Sequence, residues 1–287
     1  MIKENEFMKQ IFSTPSLWQQ HDGFYTKSGV TDVVKTSFTS KMQDNLFSIE
    51  DNSWWFRFRG NIILKTVEKL IGNSSIIYDI GGGNGYTTKI LQDNGYQAVL
   101  LEPALQACQN AKKRGIANII CGTLNDEDVL DGSLENICML DVLEHIEHDE
   151  DFLKLIRKKI SSEGKLLITV PAYSFLWSNE DVEAGHFRRY TLKQLRKNLE
   201  KSGFEILYAT HFFSFLPVPV FLFRTLPSLL GFAKAGKEKT GKEHRVGEKS
   251  LTTGLLNRIM LFEMKQIDKN KRIPFGGSCL IIAKKKI

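Results

Sequence analysis

The sequence predicts an α/β fold, a doubly wound and mostly parallel sheet with helices on both faces, and three observations carry that prediction. Apolar runs of strand length alternate with helix-patterned stretches from residue 61 onward, the order that parallel sheets require. Several runs, such as Ile76-Ile77-Tyr78 and Leu166-Leu167-Ile168, are continuously apolar, as strands buried on both faces are. The first run ends in Asp79 and the glycines Gly81, Gly82, Gly83 and Gly85, which let backbone pass close to a ligand at the carboxyl edge of the sheet. At 287 residues with 42% hydrophobic content, the chain can bury one sizeable core with attachments, and two independent cores are unnecessary.

Taken in order, residues 1–60 read as an N-terminal helical cap that closes on the aromatic and cationic cluster Trp54-Trp55-Phe56-Arg57-Phe58-Arg59, at the entrance to a helix from Asn61 to Ile71. Strands are expected near 75–80, 96–101, 117–121, 136–140, 164–170 and 205–212, with a seventh in the closing run at 277–283. The second ends in Glu102-Pro103, an acidic tip 23 residues after Asp79, and the third runs into Gly122-Thr123-Leu124. The fourth is followed by Asp141-Val142-Leu143-Glu144-His145, then a helix from Asp149 to Ile160. After the fifth comes a polar segment, Pro171 to Tyr190, and a helix from Leu192 that the Ser202-Gly203 pair stops. The core is thus 61–212 plus 271–287, with residues 213–270 inserted between strands six and seven.

The glycine spacing narrows the ligand. A dinucleotide site wants Gly-x-Gly-x-x-Gly so that the third glycine packs a helix beside a pyrophosphate, but Tyr86 occupies that third place. The pattern present, Asp79-x-Gly81-x-Gly83-x-Gly85, suits a nucleoside whose other end is an amino acid. Here the chain resembles the class I S-adenosylmethionine-dependent methyltransferases, whose first motif has this form. The resemblance implies a Rossmann-like, seven-stranded sheet with its last strand antiparallel beside the sixth, and S-adenosylmethionine as cofactor. It implies that Glu102 accepts the ribose hydroxyls beside Pro103, that Thr123 and Leu124 wall the adenine, and that Asp141 and Val142 line the methionine end. Arg59 would pair with the cofactor carboxylate, against the competing reading of a surface arginine.

Between strand five and the next helix, Pro171-Ala172-Tyr173, then Trp177, Asp181 and Gly185-His186-Phe187-Arg188-Arg189-Tyr190-Thr191, resembles a bacterial branch of these enzymes tied to cell-surface glycan and lipid-linked sugar pathways. That branch often has His-Asp where this chain has Glu180-Asp181, so a histidine base at position 180 is not expected. If the acceptor is a hydroxyl, a carboxylate or neutral histidine within hydrogen-bond reach must take its proton. His186, Asp181 and His145 are the candidates in that order, although His145 would serve equally as a cap of the following helix. Tyr173, Trp177, Arg188, Arg189 and Tyr190 are the candidate acceptor residues. Arg188 and Arg189 could hold a phosphate or carboxylate, and the alternative is that Arg189 and Tyr190 only fasten the segment to the next helix.

The insertion opens with the most hydrophobic stretch of the chain, Phe212 to Leu230. Its three prolines and Arg224 argue against a spanning helix, which leaves a membrane-surface element or a lid over an apolar substrate. The glycine- and lysine-rich run from Lys234 to Arg245 is expected to be mobile, and with a net charge of +6 it would attract an anionic membrane or a lipid-linked substrate. No recognisable RNA-binding fold accompanies that charge, so nucleic acid is not the expected partner. Cys108, Cys121, Cys138 and Cys279 form no Cys-x-x-Cys pair, so neither zinc nor a disulfide framework is indicated. Without an apolar core in the first residues, export is not expected and the cytoplasm is the predicted location, with membrane association through 212–250. The expected function is O-methylation of a sugar, glycan or lipid-linked acceptor; N- or carboxyl-methylation of a small molecule, or cofactor binding without transfer, are the alternatives.

Overall fold

The computed structural model of the chain describes residues 6–27, 37–72, 75–124, 128–231 and 251–286. Among them, nine strands form one mixed sheet: β1 (Trp18–His21), β2 (Phe24–Lys27), β3 (Ile77–Ile80), β4 (Ala98–Glu102), β5 (Ile119–Cys121), β6 (Asn136–Leu140), β7 (Lys165–Pro171), β8 (Phe204–Phe212) and β9 (Ser278–Lys285). Their order is β1-β2-β5-β4-β3-β6-β7-β9-β8. Strands β2, β5, β4, β3, β6 and β7 run parallel to one another, β1 is antiparallel to β2, and β9 lies antiparallel between β7 and β8. Chain order reverses between β3 and β6, and the crevice beyond their carboxyl ends is where such sheets hold ligands.

β3, β4 and β6 are buried along their whole length, because helices cover both faces. On one face Tyr78, Ile80, Ile137 and Met139 pack with Leu153 and Ile156 of α6 (Asp149–Lys159) and Leu195 and Leu199 of α8 (Leu192–Lys201). On the other, Ile77, Leu140 and Leu167 pack with Ile62, Ile63 and Val67 of α3 (Trp54–Leu70). α3 starts at Trp54, where Ser53 caps it by accepting from the Phe56 amide, so the aromatic cluster is the first turn of a sheet-packing helix.

The expected seven strands are nine because the N-terminal region is not wholly helical. β1 and β2 form a hairpin that extends the sheet from β5, closed by Asp22 (φ 51°) and Gly23 (φ 83°). Both central residues are left-handed, the conformation a two-residue hairpin turn needs, and Asp-Gly is its common sequence. The rest of the cap includes α2 (Ser40–Glu50), which lies over the glycine loop. There Asn84 donates to the Gln43 carbonyl and to Glu50 Oε1, each at 3.1 Å, and Arg114 pairs with Glu50 at 2.5 Å.

The insertion also differs from a simple apolar hairpin. Its start is a broken rod: α9 (Pro217–Val220), a π-helical turn (Phe221–Thr225) and α10 (Leu226–Leu229). Its end, α11 (Leu251–Asp268), belongs to the core, since Ile267 is buried and Met260 and Met264 pack beside it. Fully buried Glu263 accepts from the amides of Phe213 (2.8 Å) and Ser214 (2.7 Å), fixing the bend after β8, where Phe213 has φ 58°. The basic run at 234–245 lies outside the described residues. Among those described, no helix is long and apolar enough to cross a membrane.

Candidate active site

A cavity of about 1040 Å³ opens at the carboxyl edge of β3, β4 and β6, at the upper end of small-molecule sites, roughly 300 to 1,000 Å³. Asp79, Gly81, Gly83, Glu102, Pro103, Thr123, Leu124, Asp141, Val142 and Arg59 all line it, so nearly every residue expected at a cofactor borders the same cavity. Gly85 does not. It caps α4 (Tyr86–Asp93) with φ 74°, and a Cβ there would come within 3.0 Å of Ile116 and 3.2 Å of Ala111, so its role is helix packing. Gly81 must be left-handed (φ 68°) with Val142 close against it, whereas a Cβ on Gly83 would meet nothing within 4 Å and so would project into open space.

The acidic groups at the strand tips are held by backbone amides, a threonine hydroxyl and burial. Glu102 accepts from the amides of Gly83 (2.9 Å) and Ala104 (2.8 Å), which holds the carboxylate at the strand tip. Burial pushes its pKa up to about 7, against the pull of those two amides and with Asp79 adding to the rise. Asp79 is fully buried. Its Oδ2 accepts from Thr88 at 2.7 Å while Oδ1 has no partner, and burial raises its pKa too.

Asp141 sits just past β6 with φ 57°, a strained conformation held by its amide bond to the Thr169 carbonyl (3.0 Å) and by Thr169 Oγ1 donating to Oδ1 (3.0 Å). Its other oxygen pairs with Arg59 Nη2 at 2.9 Å. The guanidinium lies 5.4 Å from the centre of the Trp55 ring, and its Nε is buried without a partner. A paired carboxylate and guanidinium, with one N–H left over, fit the ammonium and carboxylate of an amino acid end. The unpartnered Asp79 Oδ1, the two-oxygen tip of Glu102 and the open space over Gly83 fit the nucleoside end.

The acceptor side corrects several expectations. Of the three catalytic candidates only His145 lines the cavity; His186 stacks edge-on behind it with ring centres 4.7 Å apart. Asp181 is buried and saturated, accepting from His186 Nδ1 (2.8 Å), Arg189 Nε (2.8 Å) and the Ser178 amide (2.9 Å). Burial would raise its pKa, but His186 and Arg189 outweigh burial and hold it below the usual carboxylate range, so Asp181 is an anchor and not a base. Burial lowers His145 to about 4, with His186 adding to the effect, so its imidazole is neutral at physiological pH.

The proposed acceptor residues are mostly braces. Arg188 pairs with Asp149 (2.8 Å) and donates to the Glu147 carbonyl, and buried Tyr190 donates to Asp149 (2.8 Å). Tyr173, at φ 59°, meets His211 Nε2 at 3.0 Å and stacks on Phe175 and Phe275, away from the large cavity; Trp177 is half-buried and also off its wall. Of the expected acceptor residues Arg189 alone lines the cavity, together with Pro171 and Leu176 from the same segment.

Residues that sequence reasoning missed come from distant places: Phe38 and Gln43 of the cap, and Leu216, Pro219, Val220 and Phe223 of the rod. The rod rests on α7 (Asn179–Glu183) through Arg224 to Glu180 (2.6 Å) and Ser228 to Asn179 (3.0 Å). Glu180 therefore fastens the rod, at the position where the branch resembled in sequence often has histidine. The proline pair Pro217 and Pro219 was the sequence signal for a broken rod, but nothing in it says which wall the rod covers.

Comparison with known proteins agrees with this fold. Residues 55–209, more than half of the chain, match the family model described as a methyltransferase domain. No curated protein matches the chain in sequence. Among solved structures, phosphoethanolamine N-methyltransferase 2 of Haemonchus contortus with S-adenosyl-L-methionine is similar at 15% identity and a TM-score of 0.55, covering 92% of this chain and 62% of that one. The Haloferax volcanii protein solved with the Trm112 methyltransferase activator has 13% identity and a TM-score of 0.54, over 86% and 94% of the two chains. The [4+2]-cyclase SpnF has 15% identity and a TM-score of 0.53, over 87% and 98%. Likeness at these identities speaks for the fold alone, and a cyclase among the neighbours shows how far function can vary on it. The domain model carries the assignment: the chain belongs to the methyltransferase domain family and is an S-adenosylmethionine-dependent methyltransferase.

Proposed function

We propose that this enzyme methylates a hydroxyl of a sugar, glycan or lipid-linked acceptor. In this reading Glu102 takes the ribose hydroxyls, Thr123 and Leu124 flank the adenine, and Asp141 and Arg59 divide the amino acid end of the cofactor between them. S-adenosylmethionine supplies a methyl group already activated by its sulfonium. What remains for the protein is to position the acceptor, exclude water and receive a proton. The hydroxyl proton leaves at the corner of the cavity where His145 lies.

One observation carries the choice of acceptor: the apolar rod that walls the cavity also turns a bare apolar face outward. Phe223 is 75% exposed although it lines the cavity, and Leu229 is 74% exposed, with Val218, Leu222 and Leu230 also exposed. Contiguous exposed apolar side chains beside a cavity mouth favour a substrate with an apolar tail and contact with a lipid surface. The lysines that follow in sequence, Lys234, Lys237, Lys239 and Lys242, favour an anionic one.

The test is methyl uptake from labelled S-adenosylmethionine onto lipid-linked sugars in anionic vesicles, free sugars, sugar nucleotides and amines. Label in an O-methyl group of a sugar supports the reading, and preference for the lipid-linked form supports the role of the rod. Label confined to amines or carboxylates replaces it with the small-molecule alternative. Cofactor binding with no transfer to any acceptor replaces it with a regulatory binder.

A further inference from the structure

We propose that Glu144, His145 and His186 form a binding site for one divalent transition-metal cation at the acceptor end of the cavity. Each offers a donor atom, and the three atoms lie within 4.8 Å of one another. Donors bonded tetrahedrally at about 2.1 Å to one ion stand about 3.4 Å apart, so side-chain rotations that draw the atoms together by up to about 1.4 Å close the set. No spacing in the chain announces it, because residues 41 positions apart meet only when the Phe187 amide donates to the Glu144 carbonyl at 2.7 Å.

Independent features point to a ligand there. Glu144 is 1% exposed, yet its Oε2 has no hydrogen-bond partner, and the Nδ1 of His145 is likewise buried and unpartnered. Orphaned polar atoms of this kind are rare without a reason. His186 is already oriented as a ligand: Nδ1 donates to Asp181, leaving Nε2 free to bind, and Asp181 is fixed in turn by Arg189 and Ser178. A carboxylate behind a ligating histidine is the usual support of a metal site.

Two imidazoles and one carboxylate suit zinc, iron, cobalt or manganese better than calcium or magnesium. Three protein ligands leave coordination positions open, and because His145 lines the cavity, an acceptor oxygen can occupy one of them and become more acidic. Only that use of the cation rests on the hydroxyl-acceptor reading; its binding does not.

The test is titration of Co²⁺ into the untagged, chelator-treated full chain, followed by visible absorption and calorimetry. The proposal expects one Co²⁺ per chain. It expects affinity to fall on the order of 100-fold or more in His186→Gln and His145→Gln, and about tenfold in Asp181→Asn. Exposed His21, on the edge hairpin, serves as the control, and His21→Gln should bind as the wild type does. S-adenosylhomocysteine affinity within about threefold of wild type confirms that each variant is folded; should His145→Gln fail this check, His186→Gln and the wild-type spectrum still decide. No saturable Co²⁺ binding by the wild type, or equal affinity in the folded histidine variants, overturns the proposal. Neither readout requires methyl transfer, so a wrong acceptor assignment leaves this test intact.

Discussion

The two ends of the cavity are built differently. At the cofactor end every functional group sits at, or within a few residues of, a strand terminus or on the helix packed against those strands, and its orientation is fixed by backbone: Glu102 by two amides, Asp141 by Thr169, Gly81 by its left-handed turn. At the acceptor end the wall is assembled from the cap, the segment after β7 and the broken rod, tied by side chains such as Arg224 to Glu180 and Asp181 to Arg189. The difference teaches that one end is set by the sheet and is common to the fold, while the other is set by attachments that can vary without disturbing it.

Four experiments break or sharpen that division. The largest effect is expected for Asp141→Ala, which leaves Arg59 charged and buried without its partner; the chain should lose about 3 kcal/mol in urea unfolding and most of its cofactor affinity. Acceptor-end changes should do neither. Leu229→Asp, at a side chain 74% exposed on the rod, should weaken partition onto anionic vesicles about 30-fold, the loss of roughly 2 kcal/mol of apolar burial, without changing cofactor affinity. Equal partition of variant and wild type would remove the rod from any membrane role.

Protonation probes the cofactor end more finely. Glu102, raised to about 7, is mostly neutral at pH 6 and mostly ionised at pH 8, and the ionised form is the better acceptor for ribose hydroxyls. Cofactor affinity should therefore rise about tenfold between those values. Glu102→Gln should flatten the profile; a slope that persists in the variant assigns it to another group. The smallest effect is Gly85→Ala, where a left-handed backbone and crowding by Ile116 should cost about 1 kcal/mol in stability while cofactor affinity stays within about twofold. A large loss of affinity there would return Gly85 to the binding wall.

Legibility in the sequence follows the same division. Asp79, Gly81, Gly83 and Glu102 could be placed because a parallel strand, a glycine turn and the next strand tip are local patterns with fixed geometric meaning. The antiparallel last strand was readable from its apolar run and the resemblance. β1 and β2 were missed because Trp18-Gln19-Gln20-His21 lacks an apolar alternation, although Asp22-Gly23 marked the turn. His186 and Asp181 are expected from the sequence as candidate bases, but only folding shows that Asp181 is spent on His186, Arg189 and Ser178 and that His145 stands in front. Side chains that meet through long-range packing leave no spacing to read.

The most direct measurement is calorimetric titration of S-adenosylhomocysteine into the wild type and Glu102→Ala at pH 8. Removing both ribose acceptors should weaken binding about 100-fold, near 3 kcal/mol. Undiminished affinity in the variant would contradict the assignment of the nucleoside to the tip of β4.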